Sequence, residues 1–182
     1  SSMPDDELLK LAAAGTLSEP ANLRKQVERM LADPKGQRFV SNFTRIWLEL
    51  DNIGKMPPSK EFLTYYRDNL ESAMRKETEH FFGHILKENL PPREFLAANY
   101  SFLNRELAEH YGMSGLNGNH FRKVSLPNTS RGGILGHGSF LTASANGVDT
   151  SPVVRGIYVM NEPLAYTPPP PPDDVPALEP QA

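Results

Sequence analysis

Apolar positions recur along this chain at helical spacing, and the pattern predicts a succession of amphipathic helices punctuated by proline and glycine. The strongest stripe runs from about Lys35 to Leu50, where Phe39, Val40, Phe43, Ile46, Trp47 and Leu50 follow the order i, i+1, i+4, i+7, i+8, i+11. That spacing gives one wide apolar face, and Trp47, in its middle, is expected in the core. Upstream, a helix from about Glu19 to Ala32 carries Leu23, Val27, Met30 and Leu31 on one face. It should end at Asp33-Pro34, because proline disfavours helical backbone in the residue before it. The first helix is expected to take Ser2 or Met3 as its cap, Pro4 in its first position and acid at Asp5, Asp6 and Glu7, and to stop at Gly15.

Residues Asp51 to Ser59, with Gly54, Pro57 and Pro58, read as a loop. Ser59 then caps a long helical stretch to about Asn89, with a break expected near Arg67-Asp68. Arg67, Glu71, Arg75 and Glu79 alternate in sign every four residues, the pattern of a solvated face worth roughly 0.2–0.5 kcal/mol per pair. Pro91-Pro92 stops the stretch. Short helices follow near Arg93–Ala97 and Asn104–Tyr111, the latter with Asn104 as N-cap and Gly112 as its stop. His120 to Leu126 suits a short strand, residues 132–142 a helix or apolar turn, and Ser151-Pro152 opens a helix through about Asn161.

The fold expected is mainly α: a helical bundle with a small irregular, glycine-rich C-terminal subdomain and an extended polyproline tail. Its expected divisions are a helical domain over 1–118 that lacks its N-terminal part, a small glycine-rich and helical domain over 119–166, and a proline-rich linker over 167–182. Eight of the 17 prolines fall in the last twenty residues, five of them consecutive from Pro168 to Pro172. Such a run favours a polyproline II rod over helix or central strand.

Composition narrows the function classes. With 182 residues the chain supports one ordinary core or two small ones. A net charge of −3 argues against a general nucleic-acid binder. The absence of cysteine excludes disulfides, thiolate metal sites, a cysteine nucleophile and covalent haem attachment within this chain. No apolar run approaches the roughly 20 residues that span a bilayer.

The runs SMPDDELLKLAAAGTL, QVERMLADPKGQRFVSNFTRIWLEL and NRELAEHYG resemble a helical domain of unknown function in large planctomycete proteins. The stretch RGGILGHGSFLTASANGVDTSPVVRGIYVMNEPLAYTPPPPPDDVPALEP is similar to the small domain that follows it there, with its RGG-L start, its Thr-Ser-Pro-Val-x-Arg-Gly helix start and its polyproline exit. The resemblance implies a secreted or periplasmic multi-domain parent, often carrying c-type cytochrome or carbohydrate-binding modules, with more helical chain before Ser1 and after Ala182. It implies no cofactor in this chain, haem in the parent, and neighbouring domains of that parent as partners. It also implies glutamine more commonly at the position of His137, which makes His137 a poor family-wide catalytic base.

Two groups of residues carry candidate chemistry. Glu77, His80 and His84 are spaced to stack along one helix face, and a Glu-x-x-His pair is half of a di-metal carboxylate site. The chain holds no second copy, so the alternative is a partly buried Glu–His hydrogen bond or an interdomain contact. Arg131, His137, Asp149 and Arg155 lie in the glycine-rich part, where backbone amides beside Gly132, Gly133, Gly136 and Gly138, with arginine forks, suit an anion or a sugar. The alternative is that Arg131 and Arg155 tie this part to the helices through carboxylates and helix C-terminal carbonyls. A Ser139–His137–Asp149 triad lacks nucleophile-elbow spacing, and Glu106 and His110 suit a surface or capping pair. Three functions follow in order: a scaffold or interaction module, part of an enzyme completed by further chain, and direct anion or carbohydrate binding.

Overall fold

The computed structural model describes residues 3–55, 68–126, 131–145 and 151–169. Among these are eight α-helices and one two-stranded sheet, so the fold is mainly α. The expectations for Ser59, Arg67, Asp149 and residues 170–182 lie outside the described residues.

Helices α1 (Asp6–Ala13), α2 (Pro20–Ala32) and α3 (Gly36–Trp47) open the chain. Pro4 is not the first helical residue of α1. Asp5 caps that helix instead, its carboxylate accepting the Leu8 amide at 3.1 Å. Asp5 is free to do so because an extended backbone, here φ −85° and ψ 171°, points its side chain at the orphan amides. Gly15, at φ 70°, ends α1 in the left-handed conformation that favours glycine. Polar contacts join α1 to α2: Arg29 donates to both carboxylate oxygens of Asp5, at 2.6 and 3.0 Å, and Gln26 donates to Glu7 at 2.8 Å.

This arrangement inverts the expectation for α2. Its buried residue is Gln26, while Leu23, Val27, Met30 and Leu31 stand 43–50% exposed. Helix α3 is split. Val40, Thr44 and Leu48 face inward, Trp47 is half-buried, and Phe39, Phe43 and Ile46 remain 40–60% exposed. One flank of the stripe packs on the next long helix and the other faces outward.

That helix, α4 (Asp68–Lys87), is the axis of the molecule. Leu70, Ala73, Met74, Glu77, Thr78, Phe81, Phe82 and Ile85 are all buried, an unbroken i, i+3, i+4 stripe over four turns. Of its expected charge ladder, Glu71 and Arg75 pair at 3.8 Å, and its members also contact neighbouring elements. Arg75 donates to the carbonyls of Leu50 and Ile53, capping the 3₁₀ turn at Leu50–Asn52, and Glu79 accepts from Ser41.

After the short α5 (Glu94–Ala97), strand β1 (Tyr100–Leu103) pairs antiparallel with β2 (Arg122–Ser125), in register Tyr100 with Ser125 and Leu103 with Arg122. Only β2 was expected. Helix α6 (Arg105–His110) lies between the strands, with Asn104 as its N-cap. The chain closes with a 3₁₀ turn at Ile134–Gly136, α7 (Gly138–Ala143) and α8 (Pro152–Asn161), the last capped by Ser151.

Two apolar clusters lie along α4. Leu70, Ala73 and Met74 pack with Leu103, Leu107 and Ala108. Phe81 and Ile85 pack with Leu48, Leu50, Ile53, Tyr100, Ile134, Phe140 and Tyr158. The second cluster draws on both the early helices and the glycine-rich segment, so these share a core. Tyr158 donates to the Leu48 carbonyl, and the Trp47 indole donates to the Glu162 carbonyl at 3.0 Å.

Candidate functional site

Between the two clusters, in the middle of the α4 stripe, sit two polar residues, Glu77 and Thr78, at 1% and 0% exposure. A buried polar group is tolerated when it is hydrogen-bonded, and both are. Ser101 of β1 donates to Glu77 Oε1 at 2.5 Å, and Tyr111, at the end of α6, donates to Oε2 at 2.6 Å. The Gly138 amide donates to the Tyr111 hydroxyl at 2.7 Å. Thr78 Oγ1 lies 2.6 Å from Ser139 Oγ and 3.1 Å from His137 Nδ1. One turn of α4 thus gathers β1, α6 and the start of α7 around a polar junction.

Glycine makes the approach possible. A Cβ on Gly138 would sit 2.9 Å from the Met74 side chain and 3.0 Å from the Tyr111 hydroxyl. At Gly133, with φ 64°, a Cβ would lie 2.6 Å from the Phe95 carbonyl oxygen. The glycine amides serve the fold: that of Gly133 donates to Ala98, that of Gly136 to Gly133 and that of Gly138 to Tyr111.

The electrostatics follow from burial. Desolvation raises the Glu77 carboxyl to about 7, against the opposing pull of the Ser101, Tyr111 and Gly138 donors and the Arg131 charge. Desolvation lowers His137 to about 3, so its imidazole is neutral across the ordinary range. Tyr111 is held well above its usual value by burial and then by the neighbouring carboxylate. Arg131 lies over the Tyr111 ring, 4.2 Å from its centroid. His137 packs edge-on to Phe81, ring centroids 4.8 Å apart, and its Nε2 has no hydrogen-bond partner.

The two sequence-derived groups are rearranged. Glu77 is buried, and its partners are hydroxyls, not imidazoles. His80 is exposed and lies 5.0 Å from the Phe121 ring. His84 is half-buried beside Tyr100 and Phe102 and accepts from Lys123 Nζ at 3.0 Å. Burial lowers both imidazoles. Among the described residues no three His, Asp or Glu side chains are grouped to hold a metal. Arg131 and His137 both border the junction, whereas Arg155 lies elsewhere. It donates to Ser144 at 3.1 Å and to the Leu141 carbonyl at 3.2 Å, tying α8 to the end of α7. Ser139 and His137 meet only through Thr78.

Sequence reasoning missed Tyr111, Ser101 and Thr78. Thr78 carried a signal: beside Glu77, it is the second polar residue inside an otherwise apolar stripe.

The fold is mainly helical, and the polar junction at its centre is sealed from solvent. The chain belongs to the family described as Protein of unknown function (DUF1592), PSD4, which matches residues 1–113. Residues 131–182 match a second, PSCyt3, Protein of unknown function (DUF1588). No curated protein and no solved structure matches the chain.

Proposed function

We propose that this chain is a non-catalytic scaffold or interaction module of a larger multi-domain protein, engaged through the apolar face of α2 and α3. The observation that carries this is the row Leu23, Val27, Met30, Leu31, Phe39, Phe43 and Ile46, all 40% exposed or more on consecutive helices. Exposed apolar surface on this scale marks an interaction site, and an apolar groove bordered by helices suits an amphipathic helix laid into it. The groove between α1 and α3 is floored by Leu8, Val27, Met30 and Phe39. Glu77 and His137, the groups most shifted by burial, are closed to solvent, which weighs against a role in turnover by this chain.

The partners in this reading are neighbouring domains of the same parent, periplasmic or secreted, with haem held outside this chain. The name PSCyt3 of the second matching family fits that setting. No helix among the described residues is long and apolar enough to cross a membrane.

The test uses the full parent and the same parent lacking these residues. Scaffolding predicts an unchanged absorption spectrum and reduced association between the flanking parts. Replacing Val27, Met30 and Phe43 by aspartate should reproduce the loss of association with the fold intact. A shifted haem spectrum or potential would instead favour a share in an active site.

A further inference from the structure

Charge is spread unevenly about the apolar face of α2 and α3. Between Pro20 and Trp47 stand six basic residues, Arg24, Lys25, Arg29, Lys35, Arg38 and Arg45, against two acids, Glu28 and Asp33. The whole chain carries a net charge of −3, so the acid excess lies elsewhere. Arg29 is engaged by Asp5 and Glu7 of α1, and Arg45 by Asp51. Arg24 and Arg38 form no ion pair and no side-chain hydrogen bond among the described residues. At about 100° per residue, Arg24 stands beside Leu31 at the edge of the α2 apolar arc. Arg38 stands at the edge of the α3 arc, past Ile46 and Asn42.

The face is also concave. The groove between α1 and α3 encloses about 620 Å³, with the half-buried Leu8 in its floor beside Val27, Met30 and Phe39. The acids at its margin are already bonded. Asp5 accepts from Arg29, and Asp33 accepts the Lys35 amide at 2.7 Å.

We propose that the occupant of this face is an acidic amphipathic helix of a protein partner, its apolar side in the groove and its carboxylates on Arg24 and Arg38. This rests on the reading of the face as an interaction site and adds the chemistry of the partner. Unpaired guanidinium groups beside apolar surface attract carboxylates and repel a basic helix. The acid excess over the rest of the chain repels the same partner, which favours docking here. A bilayer presents a plane, which reaches the outward Phe43 and Ile46 without filling the groove around Leu8. A helix presents a ridge of side chains every three or four residues, which fills it.

The experiment titrates the chain with two dye-labelled peptides, each about five helical turns long. They share a leucine and phenylalanine face and differ only in a glutamate or a lysine polar face. Phosphatidylglycerol vesicles are the third probe. The glutamate peptide is expected to bind on the order of tenfold tighter than the lysine peptide at low salt, a preference that salt screens away. Arg24→Glu with Arg38→Glu, surface changes that leave the circular dichroism unchanged, should reverse the preference. Val27→Asp with Met30→Asp should abolish binding of both. Equal binding of the two peptides that Val27→Asp with Met30→Asp removes overturns the acidic partner and leaves the interaction face standing. Glutamate-peptide binding that survives those aspartates overturns both. No binding of either peptide, or a charge reversal without effect, overturns the proposal, and vesicles that bind more tightly than the glutamate peptide replace it with a lipid surface.

Discussion

Helices α2 and α4 obey the same periodic rule and meet opposite fates. Both carry an apolar residue every three or four positions. On α4 that stripe is wrapped by α3, β1, α6 and α7, and two polar residues within it are buried with full hydrogen bonding. On α2 the apolar residues face out, and the inward contacts are Gln26 and Arg29 with carboxylates of α1. Periodicity reports that a helix has a face for burial. What covers that face is decided by the rest of the assembly.

The largest expected effect that separates the two is acid. His137, on the α4 side, is lowered from 6.5 to about 3, so its contribution is present above the unfolded value and lost as pH falls toward 3. That loss amounts to about 5 kcal/mol. Glu77 works with the opposite sign, gaining about 3 kcal/mol as pH falls from 7 to 4.5. Denaturant titrations of wild type should therefore be nearly flat between pH 4.5 and 6.5 and fall below it. His137→Gln should instead gain stability on acidification, and a variant as acid-sensitive as wild type would refute the assignment.

Next in size is truncation of the buried stripe. Phe81→Ala should cost about 3–5 kcal/mol by urea midpoint, the usual cost of emptying a phenylalanine site in a core. A loss under 1 kcal/mol would mean that α4 is not the axis. Gly138→Ala should cost about 1–3 kcal/mol, since the new methyl presses on Met74 and the Tyr111 hydroxyl. The smallest effect belongs to α2, where Val27→Ser should stay within about 0.5 kcal/mol. A cost like that of Phe81→Ala would show that α2 is covered in the isolated chain.

Much of this fold was legible because it is local. Helix ends at Gly15, Asp33, Asn104 and Ser151 follow from caps and breakers within a few residues. Strand β1 was not, because Tyr100-Ser101-Phe102-Leu103 is too short to establish an alternation and its partner lies across α6 and a glycine-rich loop. The junction was half legible: Glu77 stood out within an apolar arc, but its partners Ser101 and Tyr111 lie 24 and 34 residues away. Spacing along one helix suggested His80 and His84 as partners, and the β hairpin draws those rings to itself. The irregular glycine-rich stretch suggested an anion nest; in the fold the amides of Gly133, Gly136 and Gly138 donate to two backbone carbonyls and the Tyr111 hydroxyl.

The bonds from Tyr158 to Leu48 and from Trp47 to Glu162 join residues 110 and 115 apart in sequence. A ribosome releases Leu48, Phe81 and Ile85 long before the residues that cover them. For most of its synthesis the nascent chain holds half a core open to solvent, the state that chaperones bind and that aggregates when crowded. Premature stops before Tyr158 should thus yield insoluble protein, although every helix up to α7 has been made.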